Sequence, residues 1–227
     1  MFGSLCCIKL NYMKKQIILI FTTFILLSSC NGQQRIDKIG TEGVRLFENG
    51  NILGALEKFN QIIEIDSLNP EAYIRKADCL DLLGDFQNSI ISYSKAIEID
   101  SKNKLAFYNR ALTYEKIGES QKVIADYNFA INIDSNNETI PNNKIIYHNL
   151  GILYGQMNQL DNAITAFSSA IEIDDKYADA YHNIGFAYQL KGEHKIAIEN
   201  FDIAIQLNPN EQEYKNSKLR SEKQLNK

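Results

Sequence analysis

"AIEID" occupies Ala96–Asp100 and recurs at Ala170–Asp174. "AINID" stands at Ala130–Asp134, "IIEID" at Ile62–Asp66 and "AIQLN" at Ala204–Asn208. The five stretches begin at positions 62, 96, 130, 170 and 204, so they are spaced by 34, 34, 40 and 34. Self-similarity at a fixed period marks a repeat array. Each unit is then one supersecondary element that buries its apolar face on its neighbours.

The residues around each pentapeptide give the unit its form. Tyr147, Gly151 and Tyr154 fall at i, i+4 and i+7, one stripe of a helix. Ala163, Phe167 and Ala170 repeat that spacing on a second helix. Corresponding sets are Tyr73/Ala77/Leu80 with Ser89/Tyr93/Ala96, Phe107/Ala111/Tyr114 with Val123/Tyr127/Ala130, and Tyr181/Gly185/Tyr188 with Ala197/Phe201/Ala204. The small residues let two antiparallel helices approach, and the aromatics fill the space beside them. Gly84, Gly118 and Gly192 sit where the first helix must stop, which suits a left-handed residue just past the helix end. Asp85 follows as a helix N-cap.

Lys144–Tyr177 reads "KIIYHNLGILYGQMNQLDNAITAFSSAIEIDDKY" and Ala178–Glu211 reads "ADAYHNIGFAYQLKGEHKIAIENFDIAIQLNPNE". Both resemble the tetratricopeptide consensus. The resemblance implies an all-α fold, a right-handed α-solenoid of five helix-turn-helix units. The units span 36–69, 70–103, 104–137, 144–177 and 178–211, and residues 212–227 are expected to form a solvating, capping C-terminal helix. The first unit is atypical, with Ile39 in the aromatic position and Ile62 in the alanine position, as terminal repeats are. Six extra residues, 138–143, lie between units three and four. They read as a tolerated insertion or as a loop that touches a partner.

The repeated aspartates, Asp66, Asp100, Asp134 and Asp174, come one per unit at a helix end. That placement predicts turn caps rather than a metal cluster, and no metal site is expected. Low Pro and Gly content (3 and 12 residues) and 44% hydrophobic composition fit a folded helical protein. A formal charge of −4 offers no polybasic face for nucleic acid. No catalytic motif is present: there is no G-x-S-x-G, H-E-x-x-H, P-loop or G-x-G-x-x-G. An enzyme is therefore not expected. Cys79 takes a small-residue place in its unit and reads as a buried, inert thiol. His194 reads as an exposed turn residue without a role.

The N-terminal 30 residues differ from the rest. "IILIFTTFILL", Ile17–Leu27, is uncharged and too short for a mature membrane span, but it suits a signal-peptide core flanked by Lys14 and Lys15. It runs into "LSSC", Leu27–Cys30, which resembles a bacterial lipobox. That resemblance implies removal of residues 1–29 and a covalent lipid on Cys30, with residues 30–35 as a lipidated tether. A plain secretory signal is the alternative. Met13 opens a better-formed signal than Met1 does. The lipid is the only prosthetic group expected.

With no chemistry in view, recognition remains. In tetratricopeptide proteins the first helices of the units line a concave groove that holds a peptide. The resemblance places Ile74, Asp78, Tyr108, Leu112, His148, Ile152, His182 and Phe186 in that groove, with Asn109, Asn149 and Asn183 one place further along. Such asparagines bond the backbone of a bound peptide in the family, and the histidines are expected to contact it too. The Lys and Arg of the subclass that grips a terminal carboxylate are absent from this stripe. The function expected is a membrane-anchored protein–protein interaction scaffold with a peptide or protein partner. It would sit in a bacterial cell envelope, on the outer or inner membrane, facing the periplasm. The alternative is a structural subunit of an envelope assembly complex that uses its convex face.

Overall fold

A computed structural model describes residues 32–133 and 142–226. The signal sequence, Cys30, Asp134 and residues 138–141 of the insertion lie outside the described residues. Every regular element among the described residues is a helix. They form two compact units, one up to Ile99 and one from Asp100.

The first unit holds α1 (32–48), α2 (Ile52–Ile65), α3 (Pro70–Leu82) and α4 (Phe86–Ile99). Ala55, Phe59, Ile62, Ala72 and Cys79 form its buried core, with Ile36, Ile39, Val44 and Phe47 packed against them. Residues 32–35, read as tether, are helical. Gln33 Nε2 donates to Asp37 Oδ1 at 2.8 Å, an i to i+4 pair that supports this first turn. Burial pushes the Cys79 thiol up to about 12, so it is an inert packing group.

The second unit holds α5 (Lys104–Lys116), α6 (Ser120–Asn132), α7 (Asn143–Gln156), α8 (Leu160–Ile173), α9 (Ala178–Leu190), α10 (His194–Leu207) and α11 (Gln212–Leu225). The small residues sit where helices cross. A Cβ placed on Gly151 would lie 2.5 Å from Phe167, and one on Gly185 would lie 2.8 Å from Phe201. Ala77 and Ala111 occupy the equivalent place in earlier repeats and are fully buried. The second-helix stripes are buried too, Val123/Tyr127/Ala130, Ala163/Phe167/Ala170 and Ala197/Phe201/Ala204 among them.

The turns follow the residues that favour them. Gly84, Gly118 and Gly192 have φ of +79°, +76° and +79°. In the fourth repeat Asn158 takes this left-handed position with φ of +57°, which asparagine tolerates better than most side chains. Asp85 Oδ1 accepts from Asn88 N at 3.3 Å as an N-cap. Asp66, Asp100 and Asp174 each accept from the backbone N–H two residues on, at 3.0, 3.1 and 3.1 Å, so these carboxylates cap turns.

Two residues of the predicted inserted loop belong to helix architecture instead. Asn142 caps α7 through Ile145 N at 3.2 Å. Asn143 is its first residue, donating to Ile131 O at 3.1 Å and accepting from Lys104 Nζ at 2.7 Å. The capping helix α11 packs on α10 and α9. It buries Tyr214, Ser217 and Ser221, one stripe at i, i+3 and i+7.

Candidate functional site

The predicted groove residues separate into packing residues, residues bonded between repeats, and residues that line a cleft. In the first unit Ile74 is 0% exposed, which corrects its expected place in the groove: it is a core side chain. Asp78 accepts from Tyr93 Oη at 2.5 Å. In the second unit Leu112 and Asn109 are partly buried on α5, and the Asn109 carbonyl accepts from Thr113 Oγ1 at 3.2 Å. Tyr108 lies 5.8 Å from Tyr127, ring to ring.

His148 and His182 correct the expectation that their rings face a ligand. His148 lies between Phe167 and Tyr177, with centroids 5.5 and 5.1 Å away. His182 lies between Phe201 and Tyr214, at 5.5 and 4.8 Å. Each ring thus touches the second helix of its own repeat and the start of the next. Asn183 Nδ2 donates to His148 Nε2 at 3.1 Å, and His182 Nε2 pairs with Ser217 Oγ at 3.0 Å. Asn149 Nδ2 makes the corresponding longer contact to Tyr108 Oη at 3.5 Å. The same bond recurs at each step because the same two positions recur. Burial holds both imidazoles below the usual histidine range, with Asp179 opposing weakly for each and Glu213 also opposing for His182.

Ile152, Asn183 and Phe186 do come together. With Gly155, Leu160 and Leu190 they line a cleft of about 330 Å³ between α7, α8 and α9. Phe186 is 42% exposed, Ile152 37% and Leu190 56%. A Cβ on Gly155 would meet nothing within 4 Å, so this glycine leaves the cleft open.

The repeat generates a second cavity one step along, about 630 Å³, lined by Gln189, His194, Arg220, Lys223 and Gln224. Advancing 34 positions carries Gly155 to Gln189, Leu160 to His194, Phe186 to Arg220 and Leu190 to Gln224. His194 corrects the expectation of an exposed turn residue. It opens α10 half-buried, and its Nδ1 is buried without a hydrogen-bond partner among the described residues. Arg220 bonds through Nη2 to Glu213 at 2.7 Å and Ser217 at 2.8 Å. Extending the 34-residue register into the C-terminal helix would have found these residues, but a polar segment hides that register.

A second feature missed in the sequence is the ion pair of Arg110 with Asp126. Its two bonds are 2.7 Å each, and its side chains are 17% and 5% exposed. Nothing in either residue's spacing marks it, because the pair joins two helices rather than two turns of one.

The comparisons with known proteins agree with this architecture. The TPR repeat model matches residues 82–118 and 153–192, and the tetratricopeptide repeat model matches 178–211. The chain carries tetratricopeptide repeats. It is 28% identical over 88 residues to small glutamine-rich tetratricopeptide repeat-containing protein 2 of Mycosarcoma maydis. That match takes in 39% of this chain and 25% of the relative, so the chain spans about a quarter of that protein's length. A crystal structure of MamA superposes with a TM-score of 0.65 at 26% identity, covering 74% of this chain and 94% of that one. The structure of YrrB, described as a tetratricopeptide protein with an unusual peptide-binding site, gives 0.64 at 20% identity, covering 82% and 90%. The tetratricopeptide fold is that of protein–protein interaction scaffolds, which are generally non-enzymatic. Among the described residues no helix is long and apolar enough to cross a membrane, and no cluster of His, Cys, Asp or Glu could hold a metal ion.

Proposed function

We propose that this chain is a non-enzymatic scaffold, lipid-anchored through Cys30 in a bacterial envelope membrane. It holds a segment of a protein partner against the first helices of its repeats. The observation that carries the reading is the apolar cleft of about 330 Å³ between α7, α8 and α9. Exposed apolar side chains grouped in a concave site are a recognition surface more often than a folding necessity. The "LSSC" stretch at Leu27–Cys30 supports the anchor. Peptide binding by YrrB supports the choice of ligand class.

The partner recovered with the chain from detergent-solubilised membranes is titrated by calorimetry against Phe186→Ala and Ile173→Ala. Phe186 lines the cleft, whereas Ile173, 50% exposed at the end of α8, does not. A large anchor in a desolvated site carries about 2 kcal/mol or more, so Phe186→Ala should weaken binding by that amount and Ile173→Ala should not. The reverse order would move the contact to the second helices.

A further inference from the structure

We propose that the apolar cleft and the cationic cavity one repeat further on act as one bipartite site for an extended peptide. The peptide carries an apolar side chain and, about three residues away, an acidic one. This rests on the groove reading above and adds the chemistry of the occupant. The two cavities occupy equivalent places in successive repeats. Ile152, Leu160, Phe186 and Leu190 make the first apolar. His194, Arg220 and Lys223 make the second cationic, and its lining residues include no carboxylate. Equivalent helices of neighbouring repeats lie roughly 8–10 Å apart. An extended chain advances roughly 3.3 Å per residue, so about three residues span the step.

The charges on the second cavity are held in place. Tyr214, Ser217 and Ser221 fix α11 on its neighbours, and Gln189 Nε2 donates to Ser221 Oγ at 2.9 Å. Arg220 uses one nitrogen, Nη2, for Glu213 and Ser217, which leaves its other donors for a carboxylate. The buried Nδ1 of His194 is a polar atom in the same cavity that still needs a partner. The absence of cations from the first-helix stripe therefore does not make the groove blind to acids, because the cations enter from the capping helix.

The test uses fluorescein-labelled decapeptides of Ser, Thr and Asn carrying one Leu and one Glu at separations of one to six positions. Anisotropy measures their binding to the full chain at low and high salt. Binding should be tightest at a separation of about three. It should weaken about tenfold when the peptide's Glu becomes Gln, or when the protein carries Arg220→Gln with Lys223→Gln, with little further loss when both changes are combined. High salt should erase this difference, since the cavity charges are partly exposed. Gly155→Leu, which fills the apolar cleft from an open position, should weaken the Glu and Gln peptides alike. Equal binding of the two peptides, with Gly155→Leu still abolishing both, would overturn the acidic arm and leave the groove reading standing. Failure of Gly155→Leu to weaken any peptide or the native partner would overturn both.

Discussion

Asn183 donates from Nδ2 to Nε2 of His148 across the boundary between the fourth and fifth repeats, at 3.1 Å. The bond fixes Nε2 as the acceptor, so the neutral ring carries its proton on Nδ1. Protonating His148 turns Nε2 into a donor facing a donor. It also places charge in a ring stacked between Phe167 and Tyr177.

Stability should therefore fall on mild acidification. Burial lowers the folded-state pKa of His148 and His182 below the unfolded value near 6.5, which favours the neutral ring in the fold. The contribution is present in full above about 6.5 and is lost as pH falls from there toward the folded values. Asp179, Glu213 and Tyr177, Tyr214 and Arg220 surround the two rings, and the carboxylates oppose the shift without reversing it. Thermal melts between pH 7.5 and about 5 should show a falling Tm, and His148→Gln with His182→Gln should flatten that slope. A wild-type Tm independent of pH in this window would contradict the interface.

Gly151 tests the helix crossing. Any Cβ there comes to 2.5 Å of Phe167, so Gly151→Ala should destabilise despite alanine's better helix propensity. Overpacking costs about 1–3 kcal/mol, read as a lower Tm by circular dichroism. Adding Phe167→Leu should recover part of the loss, because it vacates the space the Cβ needs.

The residues just used show where sequence reading succeeded and where it stopped. Gly151, Phe167 and Ala170 were legible because they recur at a fixed period, and a period-long stripe in a helix defines a buried face. Gly84 and Asp85 were legible because turn chemistry is local. Ile74, His148 and His182 were misplaced because burial at those positions depends on what the next repeat brings. His148 meets Tyr177 and Asn183 from the following unit, 29 and 35 positions away. Arg220 stayed hidden because α11 keeps the register of a first helix while losing its hydrophobic pattern. The cleft could be named through Ile152, Asn183 and Phe186, but its openness depends on Gly155, whose missing side chain the consensus gives no reason to notice.

The ion pair of Arg110 with Asp126 should matter through what its loss leaves behind. Asp126→Ala strands a mostly buried guanidinium between Phe107 and Tyr114. Removing one partner of a buried pair costs about 3 kcal/mol, visible as a shifted urea midpoint. Arg110→Met with Asp126→Leu should lie close to wild type, since neither charge is then left alone. A single variant as stable as wild type would show that water already reaches the pair.

The anchor has a simple readout. Cys30→Ala should yield a product that incorporates no labelled fatty acid and no longer fractionates with membranes. Retention of the label would place the lipid elsewhere, and retention on membranes without label would mean that a partner, rather than an acyl chain, holds the protein there.

Site-specific photocrosslinking in cells tests the central claim that the α7–α9 cleft holds a protein segment. A benzophenone amino acid is placed at position 152 or 186, which line the cleft, and at position 173 on α8, which does not. The account predicts one discrete cross-linked partner from 152 and 186 and none from 173. Cross-links from 173 alone, with 152 and 186 silent, would contradict it and assign recognition to the second helices of the repeats.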